Sequence, residues 1–231
     1  MNNPGQYLDQ LLFNALPYMA VFTFFLMTTR RYRARTFTYS SLSSQFLENQ
    51  QHFWGLVPFH YGVLVVLGGH FVAFLVPRGI LLWNSHPLRL YILEGTALVF
   101  GILTVVGLGS AIVRRMTVSK VKMVTSPLDW LLFALLMLEV IVGVAVALFH
   151  PWGSSWFAAT AVPYFWSLLT LNPDISYVTP MPWLVKLHII NAYLLILLFP
   201  FTRLVHILVV PNPYLWRKPQ VVRWYRKPAR T

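Results

Sequence analysis

Five stretches of this chain, 11–29, 53–76, 90–113, 130–149 and 183–210, are almost uninterruptedly apolar. A helix of roughly 20 residues, rising about 1.5 Å per residue, crosses the hydrocarbon layer of a bilayer. Strict apolar/polar alternation, the mark of a barrel strand, is absent, and runs this long favour helices. The expected fold is all-α: one integral membrane bundle of five transmembrane helices covering 1–231, with 211–231 as a polar tail. Composition agrees, because 57% of the residues are hydrophobic, only 10% are charged and mean hydropathy is +0.62. A soluble domain carries about 25% charged residues, and a disordered chain lacks the aromatics. No basic segment precedes the first stretch, which argues against a cleaved signal peptide.

The charge balance, 18 Lys and Arg against 6 Asp and Glu, would suit nucleic acid if the bases formed one patch. Their positions say otherwise. Arg30, Arg31, Arg33 and Arg35 follow stretch one, and Arg114, Arg115, Lys120 and Lys122 follow stretch three. Arg217, Lys218, Arg223, Arg226, Lys227 and Arg230 fill the tail, whereas Arg78 and Arg89 stand on the opposite side. Excess Lys and Arg mark the cytoplasmic side, so the N-terminus is expected outside and the C-terminus in the cytoplasm. The basicity then needs no nucleic acid, although the tail suits anionic lipid or an acidic partner. With no Cys, disulfides, iron–sulfur ligation, thioether-linked haem and thiol catalysis are excluded.

The chemistry rests on four histidines inside two stretches, His60 and His70 in the second, His188 and His206 in the fifth. Imidazole within a span is costly unless it faces the bundle interior and finds a partner. One such residue can be an interhelical hydrogen bond; two pairs on two helices ask for more. Antiparallel directions put His70 level with His188 and His60 level with His206. Two opposed imidazoles per level suit a six-coordinate b-type haem, hence two haem b groups. The axial spacings do not match on ideal helices, about 15 Å against about 27 Å, so tilt and a kink at Pro200 must absorb the difference. Zinc fits less well, because ligands about 15 Å apart on one helix cannot share a metal. His52, His86 and His150 sit at span edges and need no special role.

The segments Phe59-His60-Tyr61-Gly62, Gly69-His70-Phe71 and Leu75-Val76-Pro77, with Lys186-Leu187-His188 and Phe199-Pro200-Phe201-Thr202-Arg203-Leu204-Val205-His206, carry a resemblance. So do Ser43-Ser44-Gln45 and the basic run from Tyr214 to Arg223. Together they resemble the respiratory nitrate reductase gamma subunit over nearly the whole chain, with 150–182 the least alike. The resemblance implies a di-haem cytochrome b in a prokaryotic cell membrane. It would oxidise menaquinol or ubiquinol at the outer side and serve a cytoplasmic iron–sulfur subunit and a molybdenum catalytic subunit. It implies His70 and His188 as ligands of the distal haem, His60 and His206 of the proximal one. It also implies a quinol site at Gly69 and Arg89. Arg stands there where the family commonly has Lys; it can bind a quinone oxygen but not donate a proton.

Further residues follow from position. Arg203, three before His206, Arg115 at the inner end of span three and Lys186, two before His188, are candidate partners of haem propionates; the plainer readings are interfacial snorkelling and positive-inside charge. Glu94, inward of Arg89, is the candidate acceptor of a quinol proton. Glu139 is assigned no role, the family resembled having an amide there. The polar segment from Thr36 to Gln51 and the tail after Pro211 are the expected docking surfaces for the iron–sulfur subunit. Two other readings stay open: the anchor of another cytoplasmic reductase, heterodisulfide- or sulfite-linked, and a haem-free proton-relay channel or transporter.

Overall fold

A computed structural model of the chain describes residues 4–35 and 50–209. Every regular element among the described residues is helical. Five helices are long and apolar enough to cross a membrane: Gly5–Ala34, Trp54–Leu75, Pro87–Thr117, Pro127–Phe149 and Trp183–Phe201. They are called spans one to five below. The segment 36–49, with Ser43, Ser44 and Gln45, and the tail from 210 onward lie outside the described residues.

Local chemistry starts and joins the spans. Pro87 and Pro127 open spans three and four, where a missing N–H costs nothing and the fixed φ already suits a helix. Span four also carries a capping box: the Asp129 N–H donates to Ser126 Oγ at 3.2 Å, and the Ser126 N–H donates to Asp129 Oδ2 at 2.9 Å. The packing order runs two, three, four, five, one, so spans two and five face each other across an arc. Spans two and three approach most closely, through glycine. A side chain at Gly62 would meet Thr104 and the Phe100 carbonyl; one at Gly107 would meet the backbone of Phe59 and Gly55. In lipid, where apolar burial drives little association, such close backbone packing holds helices together. The outward faces present Phe22, Phe25, Leu64, Leu67, Val99 and Val106, all exposed. Exposed apolar faces on helices of this length suit hydrocarbon and not water.

Two features go beyond the sequence reading. First, 150–182 carries helical structure of its own. Trp152 takes a left-handed conformation, φ 62°, and turns the chain into a helical segment: Gly153–Trp156, a π turn over Phe157–Ala161, then Val162–Leu169. Ala158, Ala161, Val162 and Tyr164 on it are buried. Pro17 in span one has no N–H to give the Phe13 carbonyl, and the Tyr164 hydroxyl donates there instead at 2.7 Å. Tyr193 of span five donates to the Tyr164 hydroxyl at 3.1 Å, and Tyr18 to the Leu168 carbonyl at 3.0 Å. The main core, with Phe13, Val142, Val146, Val185 and Ile189, lies around these tyrosines.

Second, the fifth stretch does not run unbroken to 210. Its α-helix ends at Leu198, Phe199–Phe201 forms a 3-10 turn, Thr202 is extended, and Arg203–Val209 continues as 3-10 helix. The expected kink at Pro200 is thus a full break. Carbonyls freed by the break find a donor from another span, since Arg31 Nη1 donates to the Pro200 carbonyl at 2.7 Å and the Thr202 carbonyl at 2.9 Å. Such a break is tolerated at membrane depth when neighbouring groups satisfy the backbone again.

Candidate functional site

The arc brings the four span histidines together in two pairs. The ring centres of His60 and His206 are 6.3 Å apart with planes inclined at 68°, and those of His70 and His188 are 6.4 Å apart at 51°. The two pairs are those that equal depth selects. The expected spacing mismatch between spans two and five coincides with the break at Pro200, which falls between His188 and His206.

These residues fit haem on two observations. Metal–imidazole bonds of about 2 Å on each side, plus about 1 Å from each nitrogen to its ring centre, sum to roughly 6 Å, the spacing of both pairs. The outer nitrogens are also already engaged, as metal-ligating imidazoles require. His60 Nδ1 lies 2.7 Å from the Leu56 carbonyl, His70 Nδ1 2.8 Å from the Val66 carbonyl, and His206 Nδ1 2.6 Å from the Arg203 carbonyl. A carbonyl only accepts, so Nδ1 carries the proton in these three and Nε2 is free to bind metal. His188 differs: its Nδ1 is buried without an aligned partner, and Glu139 Oε1 stands 3.2 Å away, at bonding distance but off the N–H direction.

The surroundings shape each pair. Phe157, in the π turn, meets His70 edge-on at 5.2 Å, and Phe59 meets His60 likewise at 5.2 Å. Phe74 of span two stacks on Trp166 at 5.2 Å, which pins the helical segment along the same span. Gly143 of span four makes room for His188, because a Cβ there would stand 3.0 Å from its Cε1. At Gly69 a Cβ would meet nothing within 4 Å, so the backbone beside His70 is open to approach.

The remaining candidates are placed as follows. Arg203 is held by Asp129, through Nε to Oδ1 at 2.6 Å and Nη2 to Oδ2 at 2.8 Å, and donates also to the Val124 carbonyl. This bidentate pair ties the segment bearing His206 to the capped start of span four. Arg115 is buried, donates to Thr125 Oγ1 at 3.0 Å and lies over the Phe133 ring at 4.8 Å. Lys186 pairs with Asp9 at 3.3 Å. Arg89 is exposed and lies over the Trp83 ring at 5.3 Å. Glu94 accepts from the Trp152 N–H at 3.1 Å, the Ser154 N–H at 3.2 Å and Ser154 Oγ at 3.0 Å. It fastens the left-handed turn that begins the segment carrying Phe157. His86 is the exposed residue before span three, and His150 closes span four.

Sequence reasoning missed Gly143, Phe157, Asn191 and the place of Glu139. Only the i, i+4 spacing of Glu139 and Gly143, which puts both on one face of span four, hinted at a shared task.

Comparison with known proteins shows the family. Residues 9–225 match the family model described as nitrate reductase gamma subunit. The nitrate reductase gamma chain of Bacillus subtilis is 31% identical over 217 residues, 93% of this chain and 97% of that one. The respiratory nitrate reductase 2 gamma chain of Escherichia coli is 29% identical over 227 residues, 94% of this chain and 98% of that one. With five apolar spans and a match over nearly its whole length, the chain belongs to the nitrate reductase gamma subunit family.

Proposed function

We propose that the chain is the membrane cytochrome b of a respiratory nitrate reductase in a prokaryotic cell membrane, binding two b-type haems through His70 with His188 and His60 with His206. The observation that carries this reading is the pair of ring spacings, 6.3 and 6.4 Å, from span two to the 3-10 segment after span five and to span five itself. Haem held between two imidazoles would supply a one-electron carrier. The chain's own residues do the rest. Backbone carbonyls of Leu56, Val66 and Arg203 hold three imidazoles in one tautomer, and Arg31 and Asp129 hold the broken end of span five that bears His206. Arg203, Arg115 and Lys186 remain the proposed propionate partners; Arg203 and Lys186 would share their charge with Asp129 and Asp9.

The N-terminus is proposed outside and the basic loops in the cytoplasm. Quinol is oxidised at the outer side, where Arg89 binds one quinone oxygen and the open backbone at Gly69 lets the ring approach His70. Glu94 is the proposed proton acceptor; taking a proton would loosen its bonds to Trp152 and Ser154. The released protons stay outside, while electrons are delivered to an iron–sulfur subunit docked on the basic loops and on to the molybdenum subunit. A pyridine haemochrome assay of the purified chain should give about two haems per protein, and about one in His70→Ala. One haem in the wild type would sink the reading. Arg89→Ala and Glu94→Gln should lower quinol-driven nitrate reduction but not reduction driven by a dye that reaches the catalytic subunit directly.

A further inference from the structure

We infer that Glu139 is the positioning residue of His188, receiving its Nδ1–H and so setting which nitrogen the ring presents and how strongly that nitrogen donates. The inference rests on the proposed reading that the His70–His188 pair binds haem. Three of the four histidines engage a backbone carbonyl three or four residues earlier in their own helix. His188 does not. Its Nδ1 is buried, no aligned partner reaches it, and the Glu139 carboxylate of a different span stands 3.2 Å away. A buried N–H left alone is costly, whereas a small turn of the ring about its last torsion is cheap.

The carboxylate is itself held for the task. Asn191, three residues after His188 and on the same face of span five, donates Nδ2 to Glu139 Oε2 at 2.6 Å and to the Leu135 carbonyl at 3.0 Å. Asn191 is 2% exposed, and both of its bonds go to span four, one of them to the carboxylate. Gly143, one turn beyond Glu139, leaves the space that His188 occupies. Asn191, Glu139 and His188 thus form one line, with span four supplying both the acceptor and the room. A carboxylate is a stronger acceptor than a carbonyl, and a ligand bonded to one is the more basic donor to its metal. The two haems should therefore differ in midpoint because of this one contact.

The test is a redox titration of the assembled complex in membranes, with low-spin haem signals read by electron paramagnetic resonance. Wild type, Glu139→Gln, Glu139→Leu and Asn191→Leu are compared, and His70→Ala identifies which midpoint belongs to the His188 site. Glu139→Gln should keep both haems and move that midpoint upward, leaving the other in place. Glu139→Leu should shift the low-spin signal of the same haem or lose that haem alone. If the Glu139 variants fail to assemble, Asn191→Leu decides, since it frees the carboxylate without removing it and should shift the same midpoint. Unchanged midpoints and signals in every variant that assembles would overturn the inference. A wild type lacking two haems would overturn the haem reading instead, whatever the variants do.

Discussion

At position 143 a single hydrogen atom leaves His188 room for its ring. Gly143→Val would drive methyl groups into the imidazole, and a packed site yields to overpacking only with strain. The expected outcome is a chain with about half the wild-type haem, the His60–His206 site still filled, as read by haem content and spectrum. Asp129 makes a comparable point at the other pair. It is 5% exposed, and removing one member of such a pair leaves a poorly solvated charge. Asp129→Leu should cost about 3 kcal/mol, measured as a lowered thermal midpoint of the detergent-solubilised chain. The histidines themselves were legible in the sequence, because imidazole is rare in an apolar run and two per run is rarer still. Their neighbours were not. Whether Glu139 stands level with His188, or Asp129 with Arg203, depends on the tilt of spans four and five, which no spacing along the chain specifies.

Among the elements, the broken fifth span and the segment 153–169 are the ones that composition concealed. Pro200 signalled a kink, but not the Arg31 guanidinium, 169 positions away, whose bonds help the chain leave the α-helix and restart as 3-10. Arg31→Leu would strip the Pro200 and Thr202 carbonyls of that donor at about 1–3 kcal/mol for each unsatisfied group. The His60–His206 haem should then be released at lower denaturant than the other, followed through its absorbance. The 153–169 segment escaped notice because it is too short to span and carries Pro163 within it. Its hold on the bundle is polar at the turn, where Glu94 takes three donors and Asn84 Nδ2 donates to Ser154 and Ser155 Oγ at 2.9 Å. Glu94→Ala should expose the turn at Trp152 to added protease while both haems stay bound; an uncut Glu94→Ala chain would show the turn to be held by other contacts.

For the molecule as a whole, five spans and their order were plain from hydropathy, since length and apolarity are what a bilayer selects. The sidedness argued from the basic loops can be checked directly because the natural chain contains no Cys. Ser85→Cys, before span three, should react with an impermeant maleimide added outside intact cells. Ser119→Cys, after span three, should react only once the membrane is opened. The reverse pattern would invert the topology and move the quinol site to the cytoplasmic side. Both imidazole pairs join span two to a residue made much later, His188 in span five and His206 in the 3-10 segment that follows its break. While the chain is being synthesised, no intermediate ending before His188 holds a complete ligand set. On the proposed haem reading, capture is expected late, after translation has delivered the fifth helix to the bilayer. A ribosome-stalled chain ending at Pro182 should therefore carry no bis-imidazole haem, and shortage of haem should leave an inserted five-span chain awaiting its cofactors.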